Sequence, residues 1–337
     1  MSTSNVSFLG HNITQSARLA ELNALMNDLQ RQVTTQKRTE TMSGLGSDVT
    51  PVQRLRADVS ATQTYMDNID MGTIRIKNMT EAMQEAIKIG QTLMGSINIQ
   101  VREGTVDLQQ IKILAQDALN FMGDLMNTEV NGRYIFSGND TANAPMADLA
   151  TLNNNTAAEI NNWLSGAQTV ATSLSNVDSF TTAQQGYSST VGSAGPSFIR
   201  ADTSVEIDYT VKADSSGFQS ILKGLALAAN LEIPNPAVDV GTLPEMHEIL
   251  DHILSITSDG ITDLQSQQMG LGSKLNLLDS INERHRNDHT SFQNLVSKIE
   301  DVDTTTAIIK LQALQQQLTA SYQVTRTVSQ LSLVNFL

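Results

Sequence analysis

Apolar residues recur along this chain at alternating steps of three and four, the spacing that draws one stripe along an α-helix. From Leu19 the pattern runs through Leu22, Met26, Leu29, Val33 and Gln36, and a Gly/Ser-rich break follows at Ser43 to Ser47. Thr50-Pro51-Val52-Gln53 then has the form of a capping box with Pro at the first helical position. The same steps resume at Leu55 and pass through Met66, Ile69, Ile76, Met83, Ile87, Met94, Ile97 and Val101, with Gly104 placed as a stop. A third helix is expected with Leu108, Ile111, Ala115, Ala118, Met122 and Leu125 on one face, ending at Asn131-Gly132.

The far end mirrors the near one. Thr242-Leu243-Pro244-Glu245 reads as a helix start, and a stripe then runs through Leu271, Leu275, Leu278, Ile281, His285, Phe292, Leu295, Ile299, Val302, Thr306 and Ile309. It continues less regularly through Leu314, Leu318, Val324, Val328 and Leu331. Gly260, Gly270 and Gly272 each cost up to ~1 kcal/mol against Ala in a helix interior, so a bend or break is expected there.

Between the helical ends the pattern changes. Residues 133–200 are rich in Asn, Ser, Thr and Gly, and Asn153-Asn154-Asn155 reads as loop. Tyr134/Phe136, and Val205, Ile207, Tyr209 and Val211, alternate with polar residues as half-buried strands do. A short helix over Phe218 to Leu231 is ended by Pro234 and Pro236.

Size decides the expected architecture. A compact globule of 337 residues has a radius of gyration of roughly 20 Å. A helix from Pro51 to Glu103 would be about 80 Å long. The fold class is therefore mainly α with a small β-containing insert, an elongated rod of long antiparallel helices formed by both chain ends. Five segments follow: an N-terminal coiled-coil helix over 1–42, a helical rod over 43–132, the insert over 133–243, the returning rod over 244–303, and a C-terminal coiled-coil helix over 304–337.

Composition excludes several functions. Acidic residues outnumber basic ones 35 to 21, giving −14, so a non-specific nucleic-acid binder is ruled out. Apolar runs are too short to span a membrane. There is no Cys, which removes disulfides, thiolate metal sites and Cys nucleophiles together. At the N-terminus the first basic residue is Arg18 and no apolar block follows, unlike a cleavable signal.

Candidate chemistry is sparse. His285 and His289 share a helix face, but Arg286 occupies the position a metalloprotease gives to Glu, so a solvated polar face is the expectation. His247 and His252 are five apart and point differently. Gly44-Leu45-Gly46 lacks a preceding strand and a third glycine, and Asp301 and Asp303 do not face one another on a helix. No catalytic, cofactor or metal residue is assigned.

The termini do call for a partner. Their stripes are narrow, about two positions in seven, the width of a coiled-coil seam. The expected assembly interface is Leu19, Leu22, Met26, Leu29, Val33, Ile309, Leu311, Leu314, Leu318, Val328 and Leu331, completed by neighbouring subunits of a homo-oligomer. If the two ends run antiparallel with the chain termini together, Leu29 falls near Ile309, Met26 near Leu311 and Leu19 near Leu318. Lys37 and Arg38 then fall beside Glu300, Asp301 and Asp303.

These residues resemble a known family, the bacterial flagellins, and within it the hook-associated proteins that join hook to filament. Ser297-Lys298-Ile299-Glu300-Asp301-Val302-Asp303, Leu314-Gln315-Gln316-Gln317, Ala320-Ser321-Tyr322-Gln323 and Ser329-Gln330-Leu331-Ser332-Leu333 are similar to the family's terminal signature. Asn131-Gly132-Arg133-Tyr134-Ile135-Phe136-Ser137-Gly138 resembles the strand entry of the junction proteins. Gln32-Val33-Thr34-Thr35-Gln36-Lys37-Arg38 is similar to the N-terminal segment, with Gln36 where the family usually has Gly. The resemblance implies a non-enzymatic subunit of the extracellular flagellum, exported through the type III channel without a cleaved signal. Its implied partners are a hook-associated protein on the hook side, flagellin on the filament side and an export chaperone. Filament flagellin is the nearest alternative. A coiled-coil signalling or adhesin module, and an enzyme housed in residues 133–243, are remoter.

Overall fold

The computed structural model describes residues 3–103, 108–235, 239 and 242–334, with side chains for 13–98, 108–235, 239 and 242–327. The expected stop at Gly104, the second proline of the 234–236 pair and the side chains of Val101, Val328 and Leu331 lie outside the described residues. Helices dominate: α1 (Thr3–Thr35), a 3₁₀ turn (Met42–Asp48), α2 (Val49–Glu103), α3 (Leu108–Met126), α4 (Leu149–Leu164) and α5 (Val170–Asp178). The chain continues as β1 (Phe198–Arg200), β2 (Glu206–Asp208), α6 (Ser216–Ala229), α7 (Leu243–Glu300) and α8 (Thr304–Val334). The fold is mainly α with a small β-containing segment, as the periodicity implied. Contacts group the chain into two units, one of residues 1–63 with 286–337 and one of residues 64–285.

The second unit is built around α6. Its sequence is apolar apart from a stripe of Ser216, Gln219, Ser220 and Lys223, and Phe218, Ile221, Leu222 and Leu225 to Ala229 are all buried. Leu108, Ile111, Ala115, Leu119 and Met122 of α3 join it in one core. α7 enters through a capping box: Thr242 N and Oγ1 donate to Glu245 Oε2 at 2.8 and 2.9 Å, and Trp163 Nε1 donates to the same oxygen at 3.3 Å.

Four expectations are corrected here. α7 runs 58 residues without a break at its glycines. Gly260 is there for close approach: a methyl group on it would stand 2.8 Å from Gly217 O of α6. Around Gly270 and Gly272 such a methyl meets nothing within 4 Å, and the buried face of Leu264, Leu271 and Leu278 carries the helix through both. Asn153 to Asn155 are helical, within α4, because Asp148 caps it and Leu152, Thr156, Ile160 and Trp163 bury one face. Tyr134 forms one bridge to Glu129 rather than a strand, and Phe136 packs edge-on against Phe218, ring centroids 5.2 Å apart.

His285 also departs from its expected place. It does not lie on a solvated face but is 4% exposed, stacked on Tyr65 and donating from Nε2 to Ala201 O at 2.7 Å. Arg284 pairs with Asp202 at 2.9 Å. Together they clamp the turn of the β1–β2 hairpin, whose antiparallel register pairs Ile199 with Ile207.

Candidate assembly surface

The first unit carries the two chain ends. Asn23 Nδ2 donates to Tyr322 Oη while Lys37 bridges Asp301, so α1 and α8 run antiparallel. Their seam holds Leu22, Met26, Leu29 and Val33 against Val302, Ala307, Leu311 and Leu314. Leu318 is buried as well, and Leu19 lines a groove of about 290 Å³ with Leu22, Ala320 and Val324.

The expected pairing at the base of the seam is present. Lys37 Nζ reaches Asp301 Oδ1 at 2.6 Å and Glu300 Oε2 at 3.4 Å, and Arg56 reaches Glu300 Oε1 at 2.7 Å. Backbone bonds lock the same register: Arg38 N donates to Glu300 O at 2.8 Å and Val302 N to Gln36 O at 3.0 Å. The hydrogen bond to Asp301, aided by Glu300, holds the Lys37 ammonium above its ordinary pKa against a smaller desolvation cost. Gln36, at φ 58, takes the left-handed turn that ends α1, the place where glycine is usual.

One expected contact is not made. Ile309 is 61% exposed and does not face Leu29; Ala307 and Leu314 take that place. The cause is a phase reset. α7 ends at Glu300, and Asp303 starts a new helix by accepting from Thr305 N at 3.0 Å and Thr306 N at 3.3 Å. The Thr306 hydroxyl, with those amides, holds the Asp303 carboxyl below its usual range. The apolar steps of α8 therefore run Ala307, Leu311, Leu314, Leu318 instead of continuing the Val302–Ile309 stripe.

The seam leaves apolar side chains on its outside. Ile13, Leu25, Ile308, Ile309, Tyr322 and Val324 are each 41–63% exposed on one helix pair. Sequence reasoning missed Ala307, whose small side chain is a weak hydrophobic signal, and placed none of Ile13, Leu25 or Ile308. Among the described residues no cluster of His, Asp and Glu could hold a metal ion, and no helix is long and apolar enough to cross a membrane. His289 Nδ1 instead lies 3.1 Å from Thr62 Oγ1, and His252 Nε2 lies 3.1 Å from Asp178 Oδ1.

Two chain ends that pair into a thin seam with apolar residues left outside are what a subunit that assembles with copies of itself would carry. Comparison with known proteins gives the same class. Residues 6–141 match the bacterial flagellin N-terminal helical region and residues 254–337 the bacterial flagellin C-terminal helical region, together about two thirds of the chain. The chain belongs to the bacterial flagellin family, whose members are structural, non-enzymatic components of the extracellular flagellum that self-assemble into polymers. No curated protein matches the chain significantly. Among solved structures, a protein named as a flagellar hook-associated protein from Vibrio parahaemolyticus shares the fold at TM-score 0.54 and 14% identity. The match covers 75% of this chain and 97% of that one.

Proposed function

We propose that this flagellar subunit sits at the junction between hook and filament and polymerises through its terminal helices. The observation that carries the junction reading is the likeness in fold to a hook-associated protein over nearly all of that protein's length. The segment from Asn131 to Gly138 supports it, since Ile135 and Phe136 are built into the core beside α6 rather than left as a surface loop. In this reading residues 1–42 and 304–337 are the assembly helices. Leu19, Leu22, Met26, Leu29 and Val33, with Ile309, Leu311, Leu314, Leu318, Val328 and Leu331, belong to a bundle that neighbouring copies complete. A hook-associated protein lies on one side and flagellin on the other. Export runs through the type III channel without a cleaved signal, with a chaperone on the C-terminal helix until assembly.

Immunogold labelling of intact flagella with antibody to this chain tests the reading. A single band at the hook–filament boundary is expected. Uniform labelling along the filament would make the chain a filament flagellin.

A further inference from the structure

In the second unit a cleft of about 170 Å³ opens between α2, the turn that follows α3, and the hairpin. Arg75 and Arg133 line it together with Tyr134, Phe198 and Tyr209. Among the described residues neither arginine is in an ion pair, and Arg75 Nε is buried with no acceptor. The nearby carboxylates are engaged elsewhere: Glu129 by the Tyr134 hydroxyl, Asp140 by the Asn143 amide, and Asp208 by Thr210. Two arginines thus line one cleft without a carboxylate in ion-pair contact, Arg133 Nε donating only to Thr141 Oγ1 at 2.9 Å, in a chain of net charge −14. A buried donor without an acceptor costs free energy until an acceptor arrives. The planar fork of arginine matches a carboxylate.

We propose that this cleft is a carboxylate-binding contact that receives an Asp or Glu side chain from a second copy of this chain. The inference rests on the family's self-assembly, not on the junction reading. The lip of the cleft favours a protein ligand. Phe198 is 52% exposed, and Met71, one turn before Arg75 on α2, is 46% exposed. Arg, Tyr, Phe and Met are the residues enriched where protein surfaces meet. A free carboxylate anion would engage the same forks but leave Met71 and Phe198 bare. Each copy, moreover, carries 35 acidic residues against 21 basic ones, so fixed cationic sites offset the repulsion between like-charged subunits.

Phenylglyoxal labelling of arginines, mapped by peptide mass spectrometry, tests the contact on the unmutated full chain as monomer and in isolated flagella. Labelling of Arg133 and Arg75 should fall about tenfold on assembly, as burial in an interface excludes reagent, and millimolar acetate should leave the monomer's labelling unchanged. Equal labelling in both states overturns the proposal. So does protection of the monomer by acetate, which would make this a site for small anions. In cells, Arg133→Glu should reduce incorporation and Arg133→Lys should restore part of it; wild-type incorporation of Arg133→Glu also overturns the proposal. Protection of arginines does not depend on where in the flagellum the subunit sits, so a failed junction reading leaves this result interpretable.

Discussion

The carboxylate of Glu245 shows how much one side chain can organise. It accepts from the amide and hydroxyl of Thr242 and from the indole of Trp163, the only tryptophan in the chain. The Thr242 hydroxyl first, then the Trp163 indole and the Thr242 amide, hold its pKa below the ordinary 4.5. A depressed carboxylate stabilises the fold above its unfolded pKa, and that stabilisation is lost as pH falls through the folded value. Thr242→Ala removes the cap and should destabilise the unit by about 1 kcal/mol at neutral pH. The gap from the unmutated chain should narrow as pH drops below 4.5. Trp163 fluorescence during denaturant unfolding reads both, because the indole is buried beside the cap. A gap that stays constant down to acid pH would show that Glu245 is not the group the cap serves.

At the scale of elements, the glycines of α7 separate two roles that look alike in sequence. Gly270 lies on an exposed stretch where an added methyl meets nothing, so Gly270→Ala should stabilise the chain by about 0.5–1 kcal/mol. Gly260→Ala should destabilise it, since its methyl would press on the backbone of Gly217. Thermal unfolding of the two variants should move in opposite directions. The contrast marks what the sequence could and could not disclose. The start of α7 and the face of α3 were legible, because capping residues and helical steps are local signals. The pairing of Lys37 with Asp301 followed from the antiparallel register of the two ends. α2 instead starts at Val49, with Thr50 already inside it. α4 was not legible, since three consecutive asparagines outweighed the apolar positions at Leu152, Ile160 and Trp163 that decide its structure. Ile309 was misplaced because the new cap at Asp303 shifts the helical phase, and a stripe read straight through a break inherits the wrong face. The burial of His285 was not legible because its partner, Ala201 O, lies in the hairpin, which no helical period or terminal register places against α7.

At the scale of the whole molecule, burial distinguishes residues that hold the single chain together from those left for its neighbours. Leu318 is 4% exposed in the isolated chain, so Leu318→Asp should melt the α1–α8 pair even before assembly. Ile309 is 61% exposed, so Ile309→Asp should leave stability within about 0.5 kcal/mol and still block incorporation into flagella. Amide exchange over Leu22 to Val33 in the monomer, alongside labelling of flagella, distinguishes the two variants. Normal incorporation of Ile309→Asp would remove the outer face of α8 from the interface. The segment over 145–195 is built into the core of the second unit. Leu152, Trp163 and Val177 share the core of α6, and its deletion would expose that helix.

The apolar residues outside the α1–α8 seam also govern how growth begins. They are spread around a thin pair rather than gathered in one patch, so any single neighbour covers only a few of them. Each copy also carries −14 and repels the next. Two copies meeting alone therefore gain little, whereas a copy entering a site already walled by several others covers most of its outer face at once. Association of this kind has a lag and a critical concentration. Below that concentration the chain should stay dispersed, and a preformed end should supply the nucleus that free subunits lack.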